Sequence, residues 1–269
     1  MELLAPILFA LGTWWLSTVL LMWRSKRAEP GCLKTMAVMT LFAGAGLALI
    51  VVSRDGTDAT SAYLAFVGGL ALWAWHEMSY FLAVVTGPRP RACPEGVSAS
   101  ERFVLGVQAS LWHELAIVAT ALGLIALTWG SPNPFGAWTF AVLWIMRWSS
   151  KLNIFFGVRN LHEEFWPDHL RYLGSYVHSA SMNGFFPLSM IGAGAALAWM
   201  IGQAGAAGSL AVDRTGWILV GTLLALAMLE HVLMFLRVPD AVLWRFATAG
   251  TSADPQPKLA VKLTSNQGS

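Results

Sequence analysis

Seven predominantly apolar stretches follow one another along the chain, at residues 3–23, 35–53, 61–85, 102–129, 135–158, 184–203 and 216–238. Each has about the 20 residues that a helix needs to cross a hydrocarbon layer. Lipid offers no partner for backbone N–H and C=O groups, so runs of this length close their hydrogen bonds internally and fold as helices. Composition agrees: 56% of the 269 residues are hydrophobic and 12% are charged, against roughly 25% charged in a soluble domain. These proportions exclude a soluble enzyme, a disulfide scaffold and a wholly disordered chain. The expected fold is all-α, a polytopic membrane protein with a bundle of about seven transmembrane helices in one domain over residues 1–249. Residues 250–269 are polar, short of large apolar groups, and expected to form a disordered cytoplasmic tail.

The basic residues set a direction. The segments after the first, third and fifth runs, together with the C-terminal segment, hold thirteen of the seventeen Lys and Arg, while the opposite side holds only Arg54 and Arg214. The positive-inside rule then places the N-terminus outside and the C-terminus in the cytoplasm. The first run lacks a basic leader and is followed by Arg24, Lys26 and Arg27, so it reads as an anchor and not a cleaved signal. Cys32 and Cys93 fall on the reducing side as free thiols. A net charge of +2 is too small for a nucleic-acid binder; the partner it implies is the lipid bilayer. After the fifth run, Pro167 and Asp168 suit the start of a helix, with Leu170, Tyr172, Leu173 and Tyr176 expected along the membrane surface.

Acids and histidines sit side by side within the apolar runs: His76-Glu77 in the third, His113-Glu114 in the fourth, Glu230-His231 in the seventh. His162, Glu163, Glu164 and His169 follow on the cytoplasmic loop. A carboxylate in a span costs about 2.5–3.5 kcal/mol even on lenient insertion scales, so something must neutralise these Glu residues. Three readings stand. Arg147 and Lys151, one turn apart in the fifth run, can pair with two of the Glu residues. Alternatively His76, Glu77, His113, Glu114, His162, Glu163, Glu164, His169, Glu230 and His231 supply ligands for a metal, an iron or manganese pair being the best match to imidazole and carboxylate on facing helices. In the third reading His76, His113 or His231 is the axial ligand of a bound tetrapyrrole, with Trp73, Trp75 and Trp112 lining its pocket. The three His/Glu pairs are expected to converge on one site in the inner half of the membrane.

The remaining aromatic and small residues have plainer roles. Trp14, Trp15, Trp23, Trp129 and Trp138 fit interfacial belts, and Trp144 and Trp148 form a packing or lipid-facing stripe. Gly44 and Gly46, or Gly68 and Gly69, suit close helix approach. No phosphate loop, Ser-His-Asp order, CxxC or desaturase-type histidine box is present.

Several motifs resemble those of the PuhE-type photosynthetic complex assembly proteins: LWAWHE at 72–77, VVTGPR at 84–89, WHELAI at 112–117 and LTWGSPN at 127–133. The run WTFAVLWIMRWSSKLNIFFGVRNLHEEFWPDHLRYLGSY at 138–176 is the most specific, and the likeness extends over residues 2–250. The resemblance implies a multi-pass protein of the bacterial cytoplasmic and intracytoplasmic membrane. It implies a role in assembling reaction-centre and antenna complexes or in supplying bacteriochlorophyll, with photosynthetic complex subunits or pigment-synthesis enzymes as partners. It brings no catalytic residues. A membrane-embedded di-metal oxidoreductase of tetrapyrrole or carotenoid maturation is the alternative from a different class, and a proton or small-solute carrier is a third.

Overall fold

The computed structural model describes residues 3–27, 29–160, 167–206 and 208–236. Within them each of the seven apolar runs is a helix: α1 (Leu4–Arg27), α2 (Leu33–Ser53), α3 (Ala59–Phe81), α4 (Ala99–Thr128), α5 (Phe135–Phe156), α6 (Phe185–Ala204) and α7 (Ala211–Leu233). His162, Glu163 and Glu164, like the expected tail 250–269, lie outside the described residues. Five helices, α1, α2, α4, α6 and α7, are long and apolar enough to cross a membrane, and the bundle is membrane-embedded. The other two, α3 and α5, carry Glu77, Arg147 and Lys151, and they occupy the middle. Helix α3 packs on α1, α2, α4, α5 and α7, and α5 packs on α3, α4, α6 and α7. Polar groups face the bundle interior while apolar side chains turn outward, among them Leu41 at 76% and Ile191 at 71% exposure.

Small residues bring the central helices together. A Cβ on Gly68 would stand 2.5 Å from the Gly46 carbonyl oxygen of α2, and one on Gly69 would stand 2.7 Å from the Gly136 carbonyl oxygen of α5. Gly44, the other glycine expected at a contact, has nothing within reach; its face of α2 points outward.

Buried asparagines fasten the helix ends. Asn133 donates to the Ser53 and Ser61 carbonyls at 2.9 Å each, and its side-chain oxygen accepts from Phe135 N at 3.3 Å. It thereby joins the end of α2 and the start of α3 to the start of α5. At the other end of α5, Asn183 donates to Asn153 O and Gly157 O at 3.0 and 2.8 Å. Its oxygen accepts from the N–H groups of Phe185 and Phe186 at 3.0 and 2.9 Å, which caps α6.

The segment expected along the membrane surface is a 3-10 helix, Asp168–Tyr176, packed against α4. Leu170 and Tyr176 are 2% and 6% exposed. The connector between α3 and α4 draws this helix in: Arg89 bonds to the Tyr176 hydroxyl, the hydroxyl donates to Arg91 O at 2.7 Å, and Cys93 N donates to Ser175 Oγ at 2.8 Å.

Candidate functional site

Residue spacing brings the charges together. Arg147 and Lys151 lie one turn apart on α5 and so share a face. Glu77 comes from the last turns of α3 and Glu114 from the middle of α4. Arg147 Nε donates to Glu77 Oε1 at 2.7 Å and its Nη1 to Glu114 Oε1 at 3.0 Å. Lys151 Nζ also donates to Glu114 Oε1, and to Ser110 Oγ at 3.3 Å. Two cations and two carboxylates thus balance inside the bundle, the arrangement in which buried charge is tolerated. The rings of Tyr80 and the two cations complete the cluster, with Arg147 Cζ 5.4 Å and Lys151 Nζ 5.8 Å from the Tyr80 centroid.

The two histidines beside these acids pack against one another. The His76 and His113 ring centroids are 6.1 Å apart, and Tyr80 lies 4.7 Å from His113. Thr120 donates its hydroxyl to Ala116 O, so at 2.9 Å it accepts from His76 Nε2–H. That tautomer leaves Nδ1 of His76 as a lone pair without a partner among the described residues, alongside both ring nitrogens of His113 and Oε2 of Glu114. His113 is fully buried.

The loop after α3 holds His113 in place from below. His113 N donates to Thr86 O at 2.9 Å, midway along α4. A Cβ on Gly87 would stand 2.0 Å from Gln108 O and 2.6 Å from the carbonyl carbon of Ala109. Only a residue with no side chain lets this backbone lie against α4, which gives the VVTGPR motif its physical content.

The third pair does not join the other two. His231 Nδ1–H donates to Ala227 O at 2.8 Å, and its Nε2 is 2.9 Å from Ser149 Oγ, so its hydrogen bonds are met between α7 and α5. Glu230 is exposed on the outer face of α7. His169 Nε2–H donates to Phe81 O at 2.8 Å and closes the end of α3. Of the aromatic candidates, Trp75 lies 5.0 Å from His76 and donates to Thr40 at 3.0 Å. Trp112, next to His113 in sequence, is 53% exposed, because neighbours on a helix point about 100° apart.

Among the described residues no group of three His, Cys, Asp or Glu stands where it can hold a metal ion. Glu77 and Glu114 are each engaged by Arg147, and a carboxylate shared with a guanidinium is a poor bridge between two metals. This chemistry weighs against a di-metal centre. His76 and His113 line neither of the two cavities that flank α5.

A cavity of about 280 Å³ opens beside the ion network, between α3, α4, α5 and the 3-10 helix. Its polar wall is Tyr80, Ser110, Arg147, Ser150 and Lys151; the rest is apolar, including Phe103, Val107, Phe155 and Leu170. A second space of about 420 Å³ runs between α5, α6 and α7, and is almost wholly apolar. Residue spacing within the helices carried the signal for Ser110 and Tyr80, which the His/Glu pattern alone does not select. Ser110 is four before Glu114, and Tyr80 is three after Glu77.

Comparison with known proteins adds kinship. The chain is 35% identical over 268 residues to an uncharacterized 30.4 kDa protein in the puhA 5' region of Rhodobacter capsulatus, covering 94% of this chain and 96% of that one. No solved structure matches. Residues 1–254 match the family model described as a protein of unknown function, DUF3623, and the chain accordingly belongs to the DUF3623 family.

Proposed function

We propose that this protein is a membrane factor for photosynthetic complexes, serving assembly of reaction-centre and antenna complexes or supply of bacteriochlorophyll. It crosses the bacterial cytoplasmic membrane seven times, with the N-terminus outside and the C-terminus in the cytoplasm. It acts by holding a pigment, a precursor or a nascent subunit in the cavity beside the Arg147–Glu114 network, in the inner half of the membrane. The observation that carries this reading is the cavity itself: a polar, charge-bearing wall facing apolar walls within a lipid-embedded bundle, a shape suited to binding. The relative encoded in the puhA 5' region supports the photosynthetic setting. The thirteen-to-two distribution of basic residues supports the orientation.

The test is genetic and spectroscopic. In a phototrophic host, replacing Gly106 with Leu narrows the cavity without touching an ion pair. Membrane levels of the variant should stay normal while pigment–protein complexes fall. Normal complexes in cells carrying this variant, and in a strain lacking the protein, would overturn the reading. Metal analysis of the purified chain addresses the oxidoreductase alternative. The arrangement of Glu77 and Glu114 leads us to expect no stoichiometric iron or manganese, and either metal at one or more per chain would restore that alternative.

A further inference from the structure

The two cavities share a wall. Trp148 and Leu152, one turn apart on α5, line both of them and form a ridge with the polar cavity on one side and the apolar groove on the other. Along α5 the groove extends from Trp138 to Leu152, and along α6 from Phe185 to Met200. At 1.5 Å per residue both stretches measure about 21–23 Å, long enough for an extended hydrocarbon tail.

The polar cavity has a sign. Arg147 and Lys151 line it, but neither Glu77 nor Glu114 does. The ion network is neutral in sum, yet it turns its cationic side to the cavity. Lys151 is the more open of the two, its side chain 31% exposed against 15% for Arg147. An ammonium has three donors; Glu114 and Ser110 take two, which leaves one for an incoming oxygen.

We infer that these paired cavities bind an anionic amphiphile, its oxygen head against Lys151 and Ser110 and a hydrocarbon tail laid over the Trp148–Leu152 ridge into the groove between α5 and α6. The inference rests on the proposal that the polar cavity is the working site, and it narrows the ligand class to molecules with a carboxylate or phosphate end and a long apolar tail.

Tritiated palmitate, bound to the full chain in maltoside micelles, tests this directly. Binding should saturate near one palmitate per chain and be displaced by hexadecyl phosphate, but not by hexadecane. Gly106→Leu enters the head cavity, where its Cβ meets only Tyr176 at 3.6 Å. Gly192→Phe enters the groove, where nothing lies within 4 Å of the new Cβ. Lys151→Met should weaken palmitate and octanoate alike by about tenfold, the worth of one charge-assisted hydrogen bond, and Gly106→Leu should weaken both by filling the head cavity. Gly192→Phe should weaken palmitate by about tenfold or more and leave octanoate unchanged, because it removes only buried methylenes. Gly106 lies outside the ion network, so the head arm survives even if Lys151→Met fails to fold. Uptake that never saturates, displacement by hexadecane, or indifference to Gly192→Phe would overturn the inference. If palmitate binds as described while both glycine variants leave pigment complexes intact, the amphiphile site stands and its part in assembly falls. If palmitate does not bind, the site falls whatever happens to the complexes.

Discussion

At the residue scale, the molecule is organised by what happens to buried charge. Glu114 is the pivot, since Arg147 and Lys151 both donate to it. Glu114→Gln leaves two cations around a neutral amide, and breaking one side of a buried pair costs about 3–5 kcal/mol. Chemical denaturation of the purified protein should show a loss of that order, with Glu114→Gln/Lys151→Met recovering part of it. Strictly additive losses would mean that the pair is not coupled. A gentler case lies outside the membrane-spanning segments. Cys32 Sγ is 3.2 Å from Thr35 Oγ1, and that hydroxyl holds the Cys32 thiol below its ordinary value, with a further contribution from Arg24. The thiolate, the species that reacts with maleimide, is therefore favoured at a given pH. Thr35→Val should move the pH midpoint of Cys32 labelling upward; an unchanged midpoint would show that the hydroxyl does nothing for the thiolate. The ion pairs were legible in the sequence, because an Arg and a Lys one turn apart announce a shared face and intramembrane Glu residues need cations. The fate of His231 was not: whether a histidine turns toward an acid or toward a Ser149 on a neighbouring helix depends on helix rotation, which adjacency in sequence does not encode.

At the element scale, α5 is fixed at both ends by asparagines that terminate its neighbours. Asn133→Ala removes the bonds to Ser53 O, Ser61 O and from Phe135 N. Ser53 O keeps its bond from Gly56 N, and a buried group left unpaired costs about 1–3 kcal/mol, so the unfolding free energy should drop by about 1–3 kcal/mol. Asn133→Asp keeps the acceptor for Phe135 N but sets a carboxylate oxygen against two backbone carbonyls in a fully buried site, so it should lose at least as much; a smaller loss would show that the bond from Phe135 N carries most of the effect. Gly87→Ala makes a different demand. Its methyl would meet the α4 backbone and not a movable side chain. The Thr86–His113 bond should therefore open, which hydrogen exchange at the His113 amide would report as faster exchange. Helix positions themselves were readable from apolar length alone, since lipid permits so few backbone solutions. The 3-10 helix was readable as a helix start at Pro167 but not in its placement, which long-range bonds from Arg89 and Cys93 decide.

At the scale of the whole molecule, five of the described helices are long and apolar enough to span alone, and α3 and α5 are not among them. Helices α3 and α5 reach the centre of the bundle because their partners supply the counter-charges, so seven crossings follow if the α3–α5 pairing forms during insertion. Reporter fusions check this together with the orientation. A reporter active only outside the membrane should work when fused near Asn133 and stay silent after Gly250, and the reverse pattern would invert the bundle. The expected orientation rests on the basic residues; that α3 and α5 pack centrally depended on which charges meet, which the sequence does not encode.

The groove between α5 and α6 lies on the flank of the bundle and not at its water-facing ends. Whatever enters it comes sideways, out of the surrounding lipid. Occupancy then responds to mole fraction in the bilayer and not to concentration in solution: diluting the cytoplasm leaves the site filled, while enlarging the membrane empties it. A cell that expands its membrane area unloads such a protein without changing a single contact in it.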